Sequence, residues 1–466
     1  MTSQSIVVLL VAIAALGCAT TPPGPVVELS GKSAPPESEV ARVSYDEEPP
    51  TDLSQPAELG GAIVKPIEAV PAEIANDGLA IEAAIAMALA SSPAVRQAEA
   101  RVQALQGKWV QVGLPPNPTA GYLASEVGAE GSAGQQGGYA GQTFITAGKR
   151  QKSRAVVSAE VARAEQELAS VTQRVRSDVR LRYYEALLAQ RRVELAHRLV
   201  EFTSEAAEAS KTLVEAAELG TPGLLQTEIL QRNAVVLRTT SANDSERALR
   251  QLSNLLGTEG SESWRLQGEV EQLPALPNYE TLLLRIRTES PEMAAAVAEL
   301  ERSRRAVTLA EAQALPNLST QVSVQQEALS GDTLTGVQIG APIPIWNRNQ
   351  GGIRQSQANV ALAARNIDRV ERDLARRLAD AFQRYSSAKA TAAMYATDIV
   401  PKSQETLDLV RQAYQQGESG YLDLLTAQQT YTQTNLAYLD SLGETWQSYV
   451  LIDGLLLEGS LQEGTN

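Results

Sequence analysis

The chain has 466 residues, a formal net charge of -15, an apolar fraction of 43% and only 4% aromatic residues. The acidic balance disfavours nucleic acid as a partner, since no basic stripe is available to neutralise phosphates, and an apolar fraction made mostly of Ala, Leu and Val suits helices packed along narrow seams better than one large core. One cysteine, Cys18, excludes a disulfide within the chain, and one histidine, His197, leaves no conventional Ser-His-Asp or Cys-His set.

The first element is an apolar run over 6–16. It is too short to cross a bilayer as a mature helix but has the length of a signal-peptide core, so 1–17 reads as a signal peptide and the chain as exported. Ala15-Leu16-Gly17-Cys18 resembles a bacterial lipoprotein cleavage site, in which Cys18 is acylated. It departs from that pattern in a leader without Lys or Arg and in the placing of Leu16; an ordinary signal peptide with an incidental cysteine is the alternative. Each buried methylene of an acyl chain adds about 0.8 kcal/mol of membrane affinity. Residues 18–75, rich in Pro, Ser, Glu and Thr and without periodicity, read as a Pro-rich extended tether.

From Gly78 the pattern is helical, with Leu79, Ile81, Ala84, Ile85 and Leu89 on one side and a break at Ser91-Ser92-Pro93. Pro93 opens a second helix that stops at Gly113-Leu114-Pro115-Pro116-Asn117-Pro118. Two strands follow, about 119–125 and 138–145. Then 149–219 contains neither Gly nor Pro, which predicts one helix of roughly 100 Å, too long to be buried in a globule. It ends in the turn Gly220-Thr221-Pro222-Gly223-Leu224-Leu225-Gln226, and a helix returns over 224–256.

The same order then recurs. A short helix near 279–287 breaks at Ser290-Pro291, a helix reaches Ala314, and Leu315-Pro316-Asn317 leads into strands 318–326 and 334–341. A long helix over 353–416, interrupted at Pro401, ends in Gly417-Glu418-Ser419-Gly420-Tyr421-Leu422-Asp423, with a return over 421–457. Pro116-Asn117 and Pro316-Asn317 lie 200 residues apart, and the two Gly turns, matched as Gly-x-x-Gly-x-Leu, 197 apart. The chain is thus read as duplicated, with repeats over 76–272 and 273–458 and a tail over 459–466.

In the second hairpin Leu318, Thr320, Val322 and Val324 alternate with Ser319, Gln321, Ser323 and Gln325, as do Thr335, Val337 and Ile339 with Gly336, Gln338 and Gly340. Strands of about 7 to 10 residues with one apolar face have nearly the length needed to cross a bilayer when tilted. Four strands cannot close a barrel, and lipid does not tolerate open edges, so several chains each have to contribute their strands. Soluble hairpins packed on the helices are the alternative. No zinc-type ligand cluster and no phosphate-cradling motif is present, so the sequence offers no catalytic set, cofactor or metal site.

The ordered set of both Pro-Asn strand entries, Ala147-Gly148-Lys149-Arg150, Pro342-Ile343-Pro344-Ile345-Trp346-Asn347-Arg348-Asn349-Gln350-Gly351 and the run 414–427 resembles the TolC family of outer-membrane efflux factors over about 78–457. The stretches at Lys149-Arg150 and 346–351 are most similar to its cobalt-zinc-cadmium cation-efflux branch. The resemblance implies a mainly α, two-repeat fold that forms a homotrimer. Its twelve-stranded β-barrel lies in the outer membrane of a Gram-negative bacterium and continues into a long periplasmic α-helical barrel. It further implies a passive exit duct fed by a periplasmic adaptor and an inner-membrane RND-type transporter, with heavy-metal cations as cargo. By the same likeness Gly220, Gly223, Leu225, Gly417, Gly420 and Leu422 are the adaptor-docking tip positions, and Asp423 with Gln226 marks the periplasmic aperture. A second acid one turn later, common in the family, is here Thr426. A drug or type I secretion duct of the same fold, or a periplasmic coiled-coil adaptor, are the alternatives.

Overall fold

A computed structural model describes residues 78–131, 133–217, 220–258, 264–416, 418–457 and 459. The leader, the tether, Cys18 and Gly417 lie outside the described residues. Each repeat opens with a helical pair. In the first, α1 (Ile81–Ser91) and α2 (Pro93–Gly113) meet at Ser92, whose hydroxyl accepts the Val95 N–H at 3.4 Å. In the second, Asn278 caps α5 (Tyr279–Glu289) through the Thr281 N–H at 2.9 Å, and Pro291 opens α6 (Pro291–Gln313), where a missing N–H costs nothing.

Strands β1 (Thr119–Ser125) and β2 (Gln135–Phe144) form one antiparallel hairpin, β3 (Leu318–Glu327) and β4 (Thr333–Gly340) the other. The hairpins join through β2 and β3 into one sheet of order β1-β2-β3-β4. β2 starts three residues before the expected 138, because Gln135, Gln136 and Gly137 pair with Ser125, Ala124 and Leu123 on one side and with Glu327, Gln326 and Gln325 on the other, although their own strand propensity is weak. Gly137 is required there by space: a Cβ would stand 1.9 Å from the Val324 carbonyl oxygen.

The 67-residue helix α3 (Lys149–Glu215) spans roughly 100 Å. It packs along α4 (Thr221–Leu256), α2 and α6. In the second repeat the corresponding path is α7 (Gln350–Met394), one π turn (Tyr395–Ile399) and α8 (Val400–Gln415). Pro401 cannot supply the N–H that the Thr397 carbonyl would take in an α-helix, so the turn before it widens. α9 (Tyr421–Asp453) runs back along α8 and α7. It stops before the expected 457, where Leu455 and Leu456 take left-handed conformations (φ 57° and 62°), and Gly454 passes so close to α3 that a Cβ would lie 2.2 Å from Ser177 Oγ.

Ion pairs tie the repeats along the upper trunk. Arg163 of α3 meets Glu299 of α6 at 2.8 Å, while Glu160 takes Lys108 at 2.6 Å and Arg302 at 3.1 Å. Burial alone would raise the Glu160 carboxyl, but the two cations outweigh it and hold it below the usual carboxylate range.

Two apolar clusters fill the waist. The first gathers Val179 and Tyr183 of α3, Leu252 and Leu256 of α4, and Leu442 of α9; the second gathers Leu282 and Ile286 of α5, Leu374 and Leu378 of α7, and Ile452 of α9. The connection between the repeats wraps this waist in a path that sequence reading did not anticipate. Leu79 and Leu266 form an isolated parallel bridge, and Trp446 Nε1 donates to the Val270 carbonyl at 2.8 Å. Tyr183 donates to carbonyls of Leu79 and Gln267, and Tyr385 to the Pro274 carbonyl at 2.6 Å. Burial pushes the Tyr183 hydroxyl up to about 12.

Candidate functional site

The register decides which side chains share a face of the sheet. Val322 faces Ala140 and Val337, Thr320 faces Ile339, Val324 faces Gly138, and Gly138 faces Tyr122, so Tyr122, Ala140, Val322, Val324, Val337 and Ile339 lie on one side. Ser125, Gln135, Ser323, Gln325 and Gln338 lie on the other, where the Ser125 hydroxyl donates to Gln325 Oε1 at 3.3 Å. The apolar side is in the open, with Val337 at 70% exposure, and no helix packs across it among the described residues. A sheet in water has the reverse arrangement. The outer edges of β1 and β4 have no strand beside them among the described residues. The expected alternative, hairpins packed on the helices through their apolar side, is not the arrangement of the described residues. No described helix is long and apolar enough to cross a membrane.

The trunk's far end carries two turns. In the first, α3 ends at Glu215, Ala217 takes the left-handed conformation (φ 57°), and Gly220 is the extended N-cap of α4 (φ -78°). The Gly223 N–H donates to the Gly220 carbonyl at 2.9 Å. In the second, Gly420 is likewise an extended N-cap (φ -78°) of α9. Gly220 is extended, and Ala217 is the left-handed residue described in the first turn. One expectation is corrected here. The two N-caps are 200 residues apart, the same interval as the Pro-Asn pairs, so Gly220 corresponds to Gly420 and Gly223 to Asp423. Matching the two turns as Gly-x-x-Gly-x-Leu had shifted them by three.

The Asp423 carboxylate works on its own helix. Its Oδ2 accepts the Gly420 N–H at 3.1 Å and the Ser419 hydroxyl at 3.0 Å, filling the N3 half of a capping box next to the positive end of the helix dipole. Gln226, by contrast, is exposed on α4, one turn beyond the position equivalent to Asp423. Leu225 and Leu422 are large apolar side chains in the open, at 54% and 63%; Ile229 and Val236 extend the first along α4 at spacings of four and seven. Tyr414 and Tyr421 meet edge to face with centroids 6.3 Å apart, and both hydroxyls are buried without a hydrogen-bond partner among the described residues. Burial pushes the Tyr421 hydroxyl up to about 12. This tyrosine pair was missed in the sequence, where the only signal is an aromatic on each side of a glycine turn.

Arg411 of α8 reaches Glu205 of α3 at 2.9 Å, and Phe202 of α3 packs on Leu407 and Leu424, so the second hairpin leans on the first. His197 is exposed on α3, 3.5 Å from Glu201, and among the described residues no group of three His, Cys, Asp or Glu side chains is placed to hold a metal ion. The arrangement offers a sheet with one apolar side, a long helical trunk, and a tip that exposes large apolar side chains beside the capped Asp423.

Comparison with known proteins agrees with this layout. Residues 282–456 match the family described as Outer membrane efflux protein. The chain is 26% identical over 384 residues to the cobalt-zinc-cadmium resistance protein CzcC of Cupriavidus metallidurans, covering 81% of this chain and 90% of CzcC. Among solved structures, CusC, described as forming a transmembrane channel, is similar with a TM-score of 0.67 and 17% identity over 81% of this chain and 92% of CusC. The outer membrane protein VceC of Vibrio cholerae gives 0.66 and 18% over 81% of this chain and 96% of VceC. The fold is that of the TolC-like outer-membrane efflux channels.

Proposed function

We propose that this chain, a TolC-type outer membrane efflux protein, is the outer-membrane exit duct of a tripartite efflux pump. The observation that carries this reading is the sheet: its apolar side is open to the surroundings and both edges are unfilled, a combination that becomes stable when strands from further copies close it in lipid. Three copies give a twelve-stranded barrel, with the Ser- and Gln-bearing face turned to the lumen. α3, roughly 100 Å long, then continues the duct into the periplasm. The chain conducts passively, fed by a periplasmic adaptor and an inner-membrane RND-type transporter, and Cys18 carries a lipid anchor.

Adaptor docking is assigned to the tip positions Gly220, Gly223, Leu225, Gly417, Gly420 and Leu422, supported by the exposure of Leu225 and Leu422. Three copies of Asp423 ring the periplasmic aperture and favour cations through their summed field; Gln226 adds a neutral polar group. Heavy-metal cations are the cargo, on the strength of the likeness to CzcC.

Two measurements test this. Outer-membrane trimers that stay assembled in mild detergent are expected, whereas soluble monomers would remove the duct. Deletion of the gene should lower tolerance of cobalt, zinc or cadmium; loss of antibiotic tolerance with metal tolerance intact would replace the cation cargo by drugs.

A further inference from the structure

The chain contains one finished example of how its two halves meet at the root of the sheet. The linker 145–148 between β2 and α3 lies against the linker that leads from α6 into β3. The Thr146 N–H donates to Asn317 Oδ1 at 3.4 Å, the Thr146 hydroxyl donates to the Pro316 carbonyl, and Lys149 Nζ donates to Asn317 Oδ1 at 2.6 Å and to the Leu315 carbonyl. Pro316 and Asn317 are half-buried by this joint.

Both surfaces exist a second time, at the two outer edges of the sheet, where they stand apart. Asn117, 200 residues before Asn317, is exposed together with Leu114, Pro115 and Pro116, and among the described residues it makes no hydrogen bond. At the other edge, residues 341–349 link β4 to α7. Both α3 and α7 start from a left-handed N-cap, Gly148 (φ 64°) and Asn349 (φ 56°). Counting back from these caps places Asn347 where Thr146 stands and Trp346 where Ile145 stands.

The second linker is longer by the insert Ala341-Pro342-Ile343-Pro344-Ile345. Two prolines fix its backbone, yet it holds its large side chains in the open, Ile343 at 81% and the adjoining Trp346 at 85%. Such a cluster marks a contact surface. The occupant follows from the internal joint: what covers 145–148 is this chain's own entry into β3, and the duplicate of that entry is residues 114–117.

We infer that the linker 341–349 of one protomer docks on residues 114–117 of a second copy of this chain. Asn347 then stands opposite Asn117 as Thr146 stands opposite Asn317, while Ile343 and Trp346 cover Leu114 and Pro115. The insert belongs at this joint and not at the internal one, because between subunits no covalent chain holds the two surfaces together and extra apolar area replaces that tether. The inference rests on the trimeric reading above, since only a neighbour can bring the start of β1 to the end of β4.

The test uses the full chain in outer membranes with Asn117→Cys and Asn347→Cys, oxidised mildly and run on a non-reducing gel. Each bond joins one protomer to the next, so most of the chain is expected to move into covalent dimers and trimers, above the background of the parental chain with Cys18. The pair Thr146→Cys and Asn317→Cys should close within one chain and stay at the monomer position. Trimers that persist in mild detergent yet give no 117–347 bond, or a 117–347 bond closed within a single chain, overturn the docking and leave the duct standing. If no trimer forms at all, both fall.

Discussion

The two repeats follow one plan and differ at its ends. The first carries its long helix unbroken for 67 residues, closes its tip through Ala217 without a side-chain cap and leaves its hairpin rich in glycine. The second breaks its helix at a π turn, caps its tip with Asp423 and lines its hairpin with Val and Ile. The waist, where each repeat holds a buried leucine pair and a tyrosine bonded to the connecting segment, is the part kept in common. Shared packing therefore sets the scaffold, and the repeats diverge at the sheet, in the trunk helix and at the tip.

The largest effect should come from the common part. Leu252→Ala in the first cluster and Leu374→Ala in the second, both fully buried, should each cost about 2–5 kcal/mol in denaturant unfolding of the detergent-solubilised protein. α9 contributes to both clusters, so both variants should still show one transition; two separate transitions would break the picture of a shared waist. Next comes the second hairpin. Val337→Arg on the apolar side should cost about 2–4 kcal/mol and deplete trimers in the outer membrane, while Gln338→Arg, on the opposite face, should leave them intact. Equal loss from both would mean that the faces are not distinguished by lipid.

Tyr183→Phe and Tyr385→Phe should each lose about 1–3 kcal/mol, because each removes a hydroxyl that ties the connecting segment to the waist. The Tyr183 hydroxyl sits above its ordinary value of 10.0, at about 12, so its stabilisation is complete below about pH 10 and is lost as pH rises through 12. Stability of the wild type should fall over that window more steeply than that of Tyr183→Phe. The smallest effect separates the tips. Asp423→Ala should loosen the second tip by about 0.5–2 kcal/mol, read as faster hydrogen exchange at Gly420, and should lower the cation preference of single channels. Gln226→Ala should change exchange by less than about 0.5 kcal/mol.

Much of this plan is legible in the sequence because its signals are long or periodic. A stretch without Gly or Pro fixes α3 to within a turn, and strict alternation in β3 and β4 assigns their faces. The start of β2 is not legible, since Gln135 and Gly137 have weak strand propensity of their own and become strand by pairing on both sides, with β1 and with β3. The interruption at Pro401 is legible, but its form as a π turn is not. At the tips the glycines stand out, yet their correspondence depends on which residue caps each helix, and a short motif match does not reveal that. The waist connection gives no periodic signal because it holds the core at scattered points, through backbone carbonyls and the isolated side chains of Trp264, Leu266 and Val270.

The pairing of β2 with β3 also constrains the order of folding. Gln135 and Glu327 are paired although they lie 192 residues apart in the chain, so the sheet is a high-contact-order structure that is slow to form. Until then the first hairpin waits alone, and an isolated two-stranded ribbon is marginal in water. Gly121, Gly137, Gly138 and Gly141 keep that waiting ribbon soft and poor in adhesive side chains. The sticky half of the surface thus arrives last, when its partner is already at hand, and exposure to aggregation before insertion is short.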